Sequence, residues 1–278
     1  MIMKNYQVKS KTILTIASAL ILVFLFASCE PKEQFDPELT QQEFALQSNA
    51  NGATYKIRVG LPADYNPSVK KYASMYVLDG EEDFEFVSNR CKEISDSLNV
   101  TNVVVISIGY GKDRSIDYTP TKMSSVTGGG PEFLNFIETQ LIPKVEQAYS
   151  VDTARSSRVI IGHSYGGLFG TYALCAHNKV FGNYLLLSPS LWFNSMVAMQ
   201  IEKDNRDNIK NQTQLVFMGI GGAEEVDRML TPFGELYQIF QSKYPHTKLA
   251  KNIEPNEGHM GSKKPNIIKG LNYYFQNR

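Results

Sequence analysis

Val159-Ile160-Ile161-Gly162-His163-Ser164-Tyr165-Gly166-Gly167-Leu168-Phe169-Gly170 is the stretch on which the reading of this chain turns. An apolar run fit for a buried strand passes through Gly-x-Ser-x-Gly into a small-residue segment fit for a helix. The two glycines flanking the serine permit a strained strand-to-helix turn that lifts the hydroxyl above a sheet. Ser164 would stand at a helix N-terminus, where the backbone dipole favours developing negative charge. The motif alone is common by chance, and its strand and helix context makes Ser164 the candidate nucleophile.

Outward from this turn, apolar runs at residues 72–78, 103–108, 159–162, 184–187, 215–220 and 249–253 each precede a helix-like or long loop segment. That alternation predicts an α/β fold, with a mainly parallel central sheet covered by helices on both faces. Residues 43–47 and 54–61 alternate as an opening antiparallel hairpin, with Asn49-Ala50-Asn51-Gly52 as its turn. Ligands of such sheets bind beyond the carboxyl ends of the strands, so the residues just after each run are the candidates for chemistry.

A nucleophilic serine needs a base, and the chain has four histidines. His163 lies inside the turn with its side chain directed away from the hydroxyl. His177 ends the following helix, and His246 precedes the last strand. His259, in Glu257-Gly258-His259-Met260-Gly261, alone follows the carboxyl end of a strand, and so it is the expected base. Glu224 comes first after the Gly221-Gly222 turn and is the expected acid, while Glu225 and Asp227 fit the start of the next helix. A Ser-His pair without an acid stays open. Backbone donors for an oxyanion are expected from Tyr165 and from Glu81, which follows Asp79-Gly80.

Charge excludes other classes. Lys plus Arg equal Asp plus Glu at 28 each, leaving no field for nucleic acid. No His or Cys cluster has metal-ligand spacing, and serine hydrolysis calls for no cofactor. Gly128-Gly129-Gly130 lacks the Lys-Ser/Thr of a phosphate loop and reads as a flexible lid or linker. Before the catalytic region, Lys4, Lys9 and Lys11 precede an uncharged apolar run over residues 12–28 that ends in Ala27-Ser28-Cys29. This is a signal-peptide pattern, 1–28, with Cys29 as a lipidation site of lipoprotein type. Residues 29–40 read as a polar tether and 41–278 as one catalytic domain. The expected location is extracytoplasmic, lipid-anchored to a bacterial membrane through the N-terminal lipid only. Cys91 and Cys175 are expected as buried free thiols.

Several segments together resemble the Putative esterase family of α/β hydrolases, which includes siderophore, feruloyl and related esterases. They are Tyr76-Val77-Leu78-Asp79-Gly80, Arg114-Ser115-Ile116-Asp117-Tyr118-Thr119-Pro120, Gly162 to Gly167, Ser188-Pro189-Ser190-Leu191-Trp192 and Gly258-His259. The Arg-x-x-Asp-Tyr-Thr-Pro and Ser-Pro-Ser-Leu-Trp stretches look most like the siderophore-esterase branch. The resemblance implies an α/β-hydrolase fold with Ser164 and His259 as catalytic pair, and a small-molecule ester substrate. The branch shows no uniform acid. Arg114 would meet an acidic substrate group or bridge Asp117 to order its loop, and Trp192 would wall the pocket or lie in the core. A glycan-linked feruloyl or acetyl ester is the alternative substrate, and a non-catalytic binding lipoprotein is the rival of another class.

Overall fold

The computed structural model describes residues 33–278. Four short runs buried on both faces build the middle of the sheet: β3 (Ser74–Val77), β4 (Val104–Ile108), β5 (Arg158–His163) and β6 (Asn183–Leu187). Successive side chains of a strand face opposite ways, so a run apolar at every position demands cover on both sides. The packing meets this demand. Tyr76, Ile106, Ile160 and Leu186 enter one core, while Val77, Val105, Ile161 and Leu187 enter the other. The second core is closed by α1 (Gly80–Leu98) and α8 (Lys263–Asn277) through Phe84, Val87, Ile267 and Leu271. The first core holds Leu168 and Phe169 of α5 (Tyr165–His177), Ala198 of α6 (Phe193–Ile209) and Leu236 of α7 (Thr231–Lys243).

The remaining strands are β1 (Thr40–Gln47), β2 (Thr54–Leu61), β7 (Gln214–Gly221) and β8 (Thr247–Glu254). All eight form one sheet in the order β1-β2-β4-β3-β5-β6-β7-β8. β1 and β2 pair as the antiparallel hairpin, β2 joins β4 antiparallel, and every later pairing is parallel. The expected α/β class and the six apolar runs are therefore present as strands. Three short α-helices lie between β4 and β5, namely α2 (Arg114–Asp117), α3 (Gly130–Phe136) and α4 (Ile142–Ala148), with a π-helical turn at Ile137–Leu141 joining the last two.

Two sequence expectations differ from the fold. Residues 34–40, expected as tether, belong to the packed unit. Phe35 stacks on Phe84 with ring centroids 5.3 Å apart, and the Asp36 N–H donates to Asn89 Oδ1 at 3.0 Å, so the second half of the supposed tether is bound to α1. Proline content marked this stretch as a tether, yet one aromatic residue with a matching surface is enough to dock it. The triple glycine is likewise no loose linker. The Gly128, Gly129 and Gly130 N–H groups donate to Thr119 Oγ1, Ile116 O and Thr119 O at 2.7, 2.8 and 2.9 Å. Cys91 and Cys175 are free and buried. The signal-peptide and Cys29 expectations lie outside the described residues. Among the described residues no helix is long and apolar enough to cross a membrane.

Candidate active site

β5 ends and α5 begins at Ser164, whose φ of 61° and ψ of −117° lie outside the ordinary regions for a residue with a side chain. The main chain around it explains how that conformation is held. Its N–H donates to Leu187 O at 2.9 Å, and its own C=O accepts from Leu168 N–H at 2.9 Å and Ser190 N–H at 3.1 Å. The turn is thus fastened both to α5 and to the end of β6. A Cβ at Gly162 would lie 2.5 Å from the Gly166 carbonyl carbon, and one at Gly167 would lie 2.8 Å from Leu187 O. At Gly166 the nearest atoms would be at 3.4 Å or more, an ordinary contact. The steric demand for glycine therefore falls on 162 and 167, rather than on both ends of Gly-x-Ser-x-Gly.

Opposite the turn, the loops after β7 and β8 supply the other two expected groups. His259 Nδ1 is 2.7 Å from Glu224 Oε2. The second carboxylate oxygen, Oε1, accepts from Ser188 Oγ at 2.6 Å and from the Gly221 N–H at 2.9 Å. Burial alone would raise the Glu224 pKa, but the hydrogen bonds from His259, Ser188 and the Gly221 amide outweigh it and hold the group below its ordinary value. The acid is 1% exposed in its side chain and the histidine 37%, so the pair presents only its imidazole edge to the solvent side. Ser164 Oγ rests 3.3 Å from Ser190 Oγ. Among the described residues this is its one hydrogen bond, and the hydroxyl is not engaged by His259. Catalytic hydrogen bonds are often open in ligand-free sites.

Ser164, Glu224 and His259 line one cavity of about 440 Å³, with Arg114, Trp192 and Arg228 around it. Tyr165, the first residue of α5, lines it too. Glu81 does not, being the second residue of α1 with Oε1 directed at Gly109. The turn before it nevertheless flanks the elbow, since Asp79 Oδ2 lies 3.4 Å from where a Gly166 Cβ would stand. Trp192 is a wall of the cavity, half-buried and packed against the first core.

Arg114 corrects one expectation. It does not bridge Asp117, which accepts from Tyr55 Oη at 3.0 Å. It grips Asp79 with two bonds, Nε to Oδ1 at 2.9 Å and Nη2 to Oδ2 at 3.1 Å, and Nη2 also donates to His163 O at 3.3 Å. Asp79 is 2% exposed and stands in the left-handed region with φ 52°. A buried carboxylate needs such a partner, so Arg114 is spent on the turn between β3 and α1. Arg228 is the arginine the sequence reading missed. It lies 3.7 Å from the Trp192 ring centroid and lines the cavity, with no carboxylate partner among the described residues. No local signal marked it, because it sits on the turn of helix Val226–Leu230 that only the fold brings to Trp192. Ser188 was also missed as the donor that orients Glu224, although it opens the Ser-Pro-Ser stretch already singled out.

Comparison with known proteins identifies the fold and the family. The Putative esterase family matches over residues 48–254. The chain belongs to this esterase family. It is accordingly a hydrolase of ester bonds on an α/β-hydrolase scaffold. A Bacillus cereus protein described as BES superposes with a TM-score of 0.75 at 25% identity, covering 88% of this chain and 97% of the other. An IroE-like serine hydrolase from Shewanella oneidensis gives a TM-score of 0.76 at 24% identity, over 85% and 80%. In sequence, the chain is 30% identical to the siderophore triacetylfusarinine C esterase of Aspergillus fumigatus over 60% of its own length, and the match spans 61% of that protein. The match to the ferri-bacillibactin esterase BesA of Bacillus subtilis is 29% identical over 54% of this chain, and it spans 58% of the relative.

Proposed function

We propose that this esterase hydrolyses carboxylic esters through an acyl-enzyme on Ser164, and that its substrates are small esters of siderophore type. The observation that carries the reading is the 2.7 Å contact of His259 Nδ1 with Glu224, in the cavity that also holds Ser164. Rotation about the Ser164 Cα–Cβ bond takes Oγ from Ser190 toward His259. His259 Nε2 then removes the hydroxyl proton as Oγ attacks the carbonyl carbon, and Glu224 holds the ring in the productive tautomer and stabilises the imidazolium. The carbonyl oxygen becomes an oxyanion facing the Tyr165 amide at the start of α5. The C–O bond to the alcohol breaks, and the alcohol leaves with the proton from His259. Water attacks the acyl-enzyme in the same way and releases the acid.

Substrate type rests on the cavity walls. Trp192 offers an aromatic face, and Arg228 stacked on it offers N–H donors without an internal acid to consume them, which suits a planar acidic group on the ester. Relatives named as siderophore esterases support the same class. The test is hydrolysis of a panel of ferric and metal-free siderophore esters beside feruloyl and acetyl glycan esters. Preference for the glycan esters would overturn the substrate assignment and leave the mechanism standing. Anchoring through a lipid on Cys29 is part of the proposal and places the enzyme outside the cytoplasm.

A further inference from the structure

His163 precedes the nucleophile in β5, and the mechanism above gives it no task. Its side chain is buried, and Nε2 lies 2.9 Å from the main-chain carbonyl oxygen of His259. A carbonyl oxygen only accepts, so Nε2 carries the hydrogen and the neutral ring leaves Nδ1 bare. The two imidazole rings lie with centroids 4.6 Å apart at 42°, one supporting the other. Among the described residues the His259 carbonyl has one other anchor, Ser262 Oγ at 3.3 Å.

We propose that His163 is a positioning residue for the base, its Nε2–H fastening the main chain of His259 to the turn that carries Ser164. Glu224 fixes the ring of His259 at Nδ1, while His163 fixes the backbone from which that ring projects. Two groups far apart in the chain are thereby tied to one point, and the tie runs through the residue next to the nucleophile. The main-chain carbonyl of His163 completes the tie on the other side, taking Nη2 of Arg114 at 3.3 Å. Burial drives the His163 pKa down to about 3, with the His259 and Lys263 charges acting in the same direction. The ring therefore stays uncharged beside an imidazole that must accept a proton during the reaction, and a second imidazolium never competes with it.

The inference rests on the esterase reading, and its test separates the two. His163→Met keeps much of the volume without the donor, whereas His163→Gln restores an N–H at comparable reach. Steady-state kinetics on one ester should show kcat falling on the order of 10- to 100-fold in His163→Met with KM held, since a base displaced by less than an ångström loses that much. His163→Gln should recover most of the loss. Equal kcat in all three proteins, or equal losses in the two variants, would overturn the positioning role. Should His163→Met not fold, the wild-type protein decides the matter. Imidazole nitrogen NMR must then show the Nε2–H tautomer of His163 at neutral pH, and an Nδ1–H tautomer would contradict the anchor. An inactive wild type would refute the esterase reading, and the tautomer measurement would still test the tie.

Discussion

At the residue scale the site is organised by how each charge is satisfied. Glu224 keeps its charge in a buried position because three donors share it, and Ser188 Oγ at 2.6 Å is the shortest of them. The pKa of Glu224 is depressed below 4.5, so its contribution to stability is complete above that value and is lost as pH falls through the lower folded-state value. Ser188→Ala removes one donor and moves the folded value back up. Near neutrality the variant should melt below the wild type, by an amount worth about 1 kcal/mol. That gap should narrow in acid, where both carboxyls are protonated, and paired melting curves at the two conditions check it. Arg228 makes a separate prediction. Arg228→Leu should lower kcat/KM for esters bearing an acidic group while leaving neutral esters of equal size unchanged, read from paired substrates. Arg114→Leu should instead harm both classes, since it removes the only charged partner of the buried Asp79 among the described residues and leaves it Tyr110 Oη alone.

Among the elements, the strand-turn-helix at β5 and α5 was the most legible part of the sequence, and its reason is local. An apolar run, a Gly-x-Ser-x-Gly turn and a small-residue helix are all contiguous, so no distant contact is needed to read them. Glu224 and His259 were legible through strand order, because the carboxyl ends of β7 and β8 must face the same side as that of β5. What escaped was set by contacts between elements. Arg114 meets Asp79 across 35 residues, and Arg228 reaches Trp192 from a different loop, so neither pairing has a spacing to read. Sequence reading also mislaid the second steric glycine. Gly162→Ala and Gly167→Ala should each destabilise the protein by about 1–3 kcal/mol, because the added methyl meets main-chain atoms that cannot yield. Gly166→Ala should cost little, and urea unfolding of the three variants distinguishes them.

For the whole molecule, the parallel pairing of β5, β6, β7 and β8 brings Ser164, Glu224 and His259 together beyond the carboxyl ends of the strands, with helices covering both faces of the sheet. The docking of residues 34–40 escaped the sequence because it rests on contacts with α1 far along the chain, the Phe35 stack on Phe84 and the Asn89 bonds to Gln34 and Asp36. A chain beginning at Gln34 should therefore melt several degrees above one beginning at residue 41, roughly the shift expected for about 1 kcal/mol or more in a domain of this size. The proposed lipid anchor on Cys29 is tested on the chain that carries residues 1–33. Cys29→Ala should move the protein from the membrane fraction to the soluble fraction while leaving its specific activity intact.

In the proposed mechanism Ser164 and His259 form the acyl-transfer pair. That pairing is tested most directly by hydrolysis of short p-nitrophenyl esters by the protein beside Ser164→Ala and His259→Ala. Measurable turnover is expected of the wild type, with a loss of several orders of magnitude in kcat in each folded variant. Turnover that survives either substitution would contradict the pairing.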